Sequence, residues 1–209
     1  MCARPFPYRG SPLDLAKKNV GILATCQALL FTNNTAVIAI NALAGLTLAT
    51  NKAFATLPVT AWVVGAASIS FFASMLMRRY GRRVGFTVGC GLGLVGTTIA
   101  GTAIVVQSFW LLCLGTLIFG AFNGFGTYLR FAAADAASAE FKPKAISLVL
   151  AGGLVGGLIG PQLSTLSIDW FATRFLGVYV AMFLLITLMA CVVQLIDIPK
   201  PTAAELAGP

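Results

Sequence analysis

The chain has no histidine, only six acidic residues, and a charged share of 10% over its 209 residues. Without an imidazole, Ser-His and Cys-His nucleophilic machinery cannot be assembled, and a zinc site would need scattered thiols and carboxylates. The five cysteines, Cys2, Cys26, Cys90, Cys113 and Cys191, are odd in number and include no C-x-x-C pair. They imply no disulfide framework, and four lie in apolar runs as small hydrophobes. No metal, no cofactor and no enzymatic activity is expected. Every acid, from Asp14, Asp135 and Glu140 to Asp169, Asp197 and Glu205, falls in a leader, a loop or a span end. No carboxylate is therefore expected at mid-membrane depth to carry a proton. An ordinary soluble domain is roughly a quarter charged, whereas this chain is 58% hydrophobic, and it reads as an integral membrane protein.

Long apolar runs are what the sequence does have. A hydrocarbon core of ~30 Å takes about 20 residues per helix, so the length admits roughly six or seven spans and no large soluble domain. The runs predict an all-α membrane fold of six transmembrane helices. They cover Asn19 to about Gly45, Leu57 to Met77, Val84 to Val106, Phe109 to about Phe131, Ala145 to Leu166, and Phe175 to Ile196. Residues 1–18, with Pro5, Pro7 and Pro12, read as an irregular leader, 19–198 as the bundle, and 199–209 as a disordered tail. The first run is too long, and too polar at Gln27, Asn33 and Asn34, for a cleaved signal peptide. Gln107 and Ser108 alone separate the third and fourth spans, which predicts a tight hairpin.

Six spans put both termini on one side. Arg4, Arg9, Lys17, Lys18, Arg78, Arg79, Arg82, Arg83, Arg130, Lys142, Lys144 and Lys200 fall on that side, against Lys52 and Arg174 on the other. The positive-inside rule then places both termini in the cytoplasm of a multi-pass protein of the cell membrane, plasma or bacterial inner. The net charge of +8 is read as orientation and attraction to anionic headgroups, not as nucleic-acid binding.

Gln27, Asn34 and Asn41 recur every seven residues, so they fall on one stripe of the first helix, with Asn33 beside it. Carboxamides at this depth either line a solute pathway, together with Asn123 of the fourth span, or make interhelical hydrogen bonds worth ~0.6 kcal/mol each. Both readings stand at this point. Small-residue ridges recur at Gly85, Gly89 and Gly93, at Gly120 and Gly124, and at Gly152, Gly156 and Gly160 beside Gly153 and Gly157. Such ridges let helices touch in lipid. Gly156, Gly160 and Pro161 also make a bend, and hence a gate, a second reading of the fifth span. Arg130 and Asp135 at the end of the fourth span read either as a cytoplasmic gate pair or anion contact, or as a snorkelling arginine and a loop acid.

The loop after the second span, Ser74 Met75 Leu76 Met77 Arg78 Arg79 Tyr80 Gly81 Arg82 Arg83, resembles the Gly-x-Leu-Ala-Asp-Arg-x-Gly-Arg-Arg signature of the major facilitator superfamily. Leu76, Arg79, Gly81, Arg82 and Arg83 match; Ser74 replaces the first glycine and Arg78 the aspartate. The glycine run ending in Gly160 Pro161 resembles the family's Gly-Pro motif, and Asn123 Gly124 Phe125 Gly126 its Gln-Gly-x-Gly. The resemblance implies one six-helix half of a twelve-helix transporter, built from two inverted three-helix repeats. It also implies that Arg79, Gly81, Arg82 and Arg83 govern conformational change rather than solute binding.

The expected function is transport of a small solute by alternating access, the chain pairing with a second copy or a second six-helix half in the lipid bilayer. A lone bundle is expected to turn the stripe of Gln27, Asn34 and Asn41 toward lipid. The alternative is a non-transporting accessory or assembly subunit, or a truncated transporter product, whose cavity would be filled by large apolar side chains. Other six-helix classes fail: an intramembrane serine protease needs the missing histidine, and neither Pro-x-acid-x-x-base carrier signatures nor Asn-Pro-Ala half-helices occur.

Overall fold

Each apolar run becomes a helix, and a one-residue break between the second and third and a three-residue break between the third and fourth reverse the chain. A computed structural model describes residues 12–196. It contains α1 (Pro12–Leu48), α2 (Leu57–Tyr80), α3 (Arg82–Val105), α4 (Phe109–Gly126), α5 (Leu129–Ala136), α6 (Lys142–Ser167) and α7 (Leu176–Val193), with a 3₁₀ turn at Lys52–Phe54. No strand occurs among the described residues, and six stretches are long and apolar enough to cross a bilayer, α4 and α5 together forming the fourth.

Two boundaries differ from the sequence reading. Helix α1 starts at Pro12, so residues 12–18, expected to be irregular, are helical. A proline at the first helical position loses no hydrogen bond, so Pro12 opens a helix rather than barring one. The rest of the expected leader, residues 1–11, and the tail 199–209 lie outside the described residues. The fourth span is broken at Thr127 and Tyr128, where the amide of Tyr128 donates to the Phe125 carbonyl at 3.2 Å. This tighter step offsets α5 from α4 and extends the helix to Ala136. The expected hairpin at Gln107–Ser108 is present: Gln107 takes the left-handed conformation (φ 55°) and the Ser108 side chain caps α4.

Helix α1 packs along α6, α2 along α4, and α3 against α4 and α7, with α7 also touching α1. Exchanging the first three spans for the last three maps these pairs onto one another. Since each unit has an odd number of helices, the second enters from the opposite side, which makes the repeats inverted. Glycine sets the two main seams. On α6, a Cβ on Gly152 would strike the carbonyl of Ala24 and one on Gly156 the carbonyl of Ala28; on α4, one on Gly120 would strike the carbonyl of Trp62. The ridge on α3 differs, for Gly85, Gly89 and Gly93 receive the side chains of Met77, Phe125 and Phe122. Pro161 does not interrupt α6, which is continuous from Lys142 to Ser167.

The polar stripe of α1 does not face lipid. Gln27, Asn34 and Asn41 are 2%, 7% and 1% exposed within this single chain. The expectation of a lipid-facing stripe fails because α1 is a central helix, in contact with α2, α4, α5, α6 and α7. Replacing Gly156 by Leu is expected to destabilise the folded chain by ~1–3 kcal/mol through forced separation of α1 and α6. Gly91→Leu, where no atom lies within 4 Å of a new Cβ, is expected to be tolerated. Thermal unfolding of both variants in detergent checks this, and equal losses would contradict it.

Candidate functional site

Gln27 and Asn34 both border a cavity of about 320 Å³ whose other walls include Trp62 of α2, Asn123 and Thr127 at the end of α4, Arg130 of α5 and Leu150 of α6. Asn34 stands 14 residues before the end of α1 and Asn123 14 residues into α4. Both are thus about 21 Å from the same membrane face along their helices. There the Asn34 Nδ2 donates to the Asn123 Oδ1 at 2.6 Å, joining equivalent helices of the two repeats. Three atoms of the lining remain buried without a hydrogen-bond partner among the described residues: Gln27 Oε1, Asn34 Oδ1 and Trp62 Nε1. Buried polar groups are ordinarily paired, so these three atoms are short of partners.

Sequence neighbours separate here. Asn33 is fully buried but does not border the cavity; its Nδ2 donates to the Leu29 carbonyl at 2.8 Å. Asn41 accepts from the Tyr179 hydroxyl at 2.8 Å and ties α1 to α7. Successive helical residues point about 100° apart, and the rotation of α1 puts Asn34 and Thr35 on the cavity wall and leaves Asn33 off it. Gly156 and Gly160 lie in the α1/α6 seam, where the Thr32 hydroxyl donates to the Gly156 carbonyl at 3.2 Å. Trp62, Phe31, Thr35 and Thr127 escaped the sequence reading. Trp62 alone carried a signal, an indole N–H in an apolar run that needs an acceptor.

The basic end is organised differently from the expected pair. Asp135 does not bond Arg130; it accepts from Arg82, at 3.1 Å from Nε and 2.8 Å from Nη2. Arg130 is exposed and borders the cavity with no ion pair to any described residue. Arg83 donates from Nε to Gln194 Oε1 at 3.1 Å just past α7, and Gln194 Nε2 donates to the Thr87 hydroxyl at 2.9 Å. The guanidinium of Arg79 lies 5.4 Å from the Tyr80 ring centre. Arg82 and Arg83 thus fasten the start of α3 to α5 and to the end of α7. Between α2 and α3 stands Gly81 alone, with φ 95° and ψ 162°, a region open essentially to glycine only.

A loop of this composition, a glycine-seamed α6 and paired asparagines on the first and fourth spans coincide with a family model described as the Major Facilitator Superfamily, which matches residues 23–208. The chain belongs to that superfamily. Among curated superfamily members it is similar to the riboflavin transporter RfnT of Brucella anthropi, 39% identical over 148 residues, or 71% of this chain and 37% of that protein. It is also similar to two proteins of Bacillus subtilis described as uncharacterized MFS-type transporters. YdeG is 27% identical over 150 residues, 72% of this chain and 35% of that protein. YddS is 29% identical over 154 residues, 72% of this chain and 34% of that protein. The chain therefore spans little more than a third of the length of these superfamily relatives.

Gly81→Val is expected to lower stability by about 1–3 kcal/mol, because a β-branched residue cannot hold this backbone without strain. Gly81→Asn is expected to lose a comparable amount, since asparagine's tolerance of positive φ is confined to the left-handed helical region and does not extend to ψ 162°. Denaturation of the two variants side by side checks this, and an unaffected valine or asparagine variant would contradict it.

Proposed function

We propose that this chain is a six-helix unit of a solute transporter, not an enzyme, and that it works by alternating access opposite a second six-helix unit. That unit is either a second copy or another half. The observation that carries the reading is the cavity, with carboxamides from both inverted repeats meeting on its wall. An accessory scaffold would have this space filled with large apolar side chains.

Support for the second unit comes from the outer faces of the helices. In α2 and α6 only 11% and 22% of the most apolar window is buried, against 44–56% in the other four spans. These two helices also contribute Trp62 and Leu150 to the cavity. They are the natural faces for a partner that would close it. The basic loops suggest cytoplasmic termini, with the Gly81 turn and the Arg82–Asp135 pair acting on the conformational cycle and Arg130 at the cytoplasmic mouth.

The relative named as a riboflavin transporter suggests the first solute to test. Proteoliposomes containing the chain with its second unit are expected to take up riboflavin. Asn34→Leu and Asn123→Leu are each expected to cut uptake at least about tenfold, the fold-change matching ~1.4 kcal/mol. For sidedness, a thiol introduced at Asn51 should react with an impermeant reagent from outside and one at Tyr80 should not. Uptake indifferent to both asparagines would overturn the cavity assignment, and the reverse labelling pattern would overturn the orientation.

A further inference from the structure

The cavity also carries information about which solutes fit it, an inference that rests on the transport reading above. We infer that its preferred solute is an uncharged planar heterocycle presenting a ring N–H beside a ring carbonyl, as a cyclic imide or lactam does. The N–H would be read by Asn34 and the carbonyl by Trp62.

Charge comes first. No aspartate or glutamate borders the cavity, and its one ionisable lining group is Arg130, which has no acidic partner among the described residues. A cationic solute would lose its hydration here and meet a like charge, so cations are disfavoured. The polar groups that remain are amides, hydroxyls and an indole, which suit neutral hydrogen-bonding edges.

Hydrogen-bond polarity comes next. A carboxamide has one acceptor oxygen and one donor nitrogen. Asn34 uses its nitrogen on Asn123, at 2.6 Å, so Oδ1 is left as an acceptor with no donor. Trp62 offers the complement, a buried Nε1–H with no acceptor. The two lie near one another in depth, because Gly120, three residues before Asn123, abuts the Trp62 backbone. One unmet acceptor and one unmet donor on adjoining walls call for a ligand edge carrying the opposite pair. Gln27, seven residues below Asn34 on α1 and thus about 10 Å away, keeps an unmet acceptor at Oε1. A second donor further along the same molecule would satisfy it. Shape agrees, because Phe31, an aromatic side chain on the wall, favours a flat ring that can stack on it at low entropic cost.

The test compares riboflavin, whose ring bears such an N–H between two carbonyls, with riboflavin methylated at that nitrogen. Equilibrium binding to the protein in nanodiscs is read by quenching of flavin fluorescence. The parent is expected to bind about tenfold or more tightly than the methylated form, since methylation leaves Asn34 Oδ1 buried and unpaired. In Asn34→Leu the two flavins should bind within about twofold of each other. In Trp62→Phe both should weaken together and the ratio should persist, because the indole bonds the carbonyl that methylation leaves intact. Equal binding of the two flavins to the unaltered protein would overturn the imide assignment and leave the solute cavity standing. Binding of neither would also overturn the imide assignment, and the uptake assay with the Asn34 and Asn123 variants then decides the transport reading by itself.

Discussion

The contact on which the bundle depends is the one between the backbones of α1 and α6. Hydrocarbon supplies no hydrophobic drive for helices to associate, so association rests on close packing and interhelical hydrogen bonds. Here glycines remove the side chains that would hold the axes apart, and a Cβ at Gly152 or Gly156 would overlap carbonyl oxygens of α1. Thr32 adds a hydrogen bond to the Gly156 carbonyl across the same seam. The α2/α4 seam repeats the device, with Gly65 against Leu117 and Gly120 against Trp62. With the two seams closed, α1 and α4 become the inner helices, and their asparagines meet near mid-membrane.

That placement turns a potential cost into a site. Carboxamides in lipid would be unfavourable, but inside the bundle the three asparagines of α1 find partners: Asn33 a carbonyl one turn back, Asn41 a tyrosine hydroxyl, Asn34 another asparagine. Among the described residues, Gln27 Oε1, Asn34 Oδ1 and Trp62 Nε1 remain unpaired on residues that border the cavity, and Asn33 Oδ1, Asn41 Nδ2 and Thr97 Oγ1 remain unpaired away from it. At the basic end, single-residue reversal at Gly81 brings arginines to the start of α3, from which they reach Asp135 and Gln194. The Arg82 and Asp135 side chains are 24% and 48% exposed, so the pair contributes under about 1 kcal/mol to stability. Such a contact can break and reform at low cost, as a conformational role would require.

The six spans were legible because each is a long apolar run between breaks that a membrane helix cannot absorb. Glycine spacing announced which faces pack, yet not against what: nothing near Gly85 in sequence says that it receives Met77, while Gly156 meets a backbone. Asn33 and Asn34 are chemically identical neighbours, and only the rotation of α1 decides that one borders the cavity and the other does not. Arg130 and Asp135 suggested a pair because they are close in sequence, whereas the partner of Asp135 lies 53 residues away. Local periodicity carried the helices; the site needed contacts between chain segments that periodicity does not encode.

The central claim is that the carboxamides of α1 and α4 line a water-filled cavity and not a dry helix contact. It is tested most directly by thiol reactivity at Asn123. Methanethiosulfonate reagents need an ionised thiol, which exists in water and not in hydrocarbon. In a chain whose five native cysteines are replaced, Asn123→Cys should react readily. Leu184→Cys, on the outer face of α7 and 57% exposed, should stay unreactive in the bilayer. Reactivity at Asn123 no greater than at Leu184 would contradict the account.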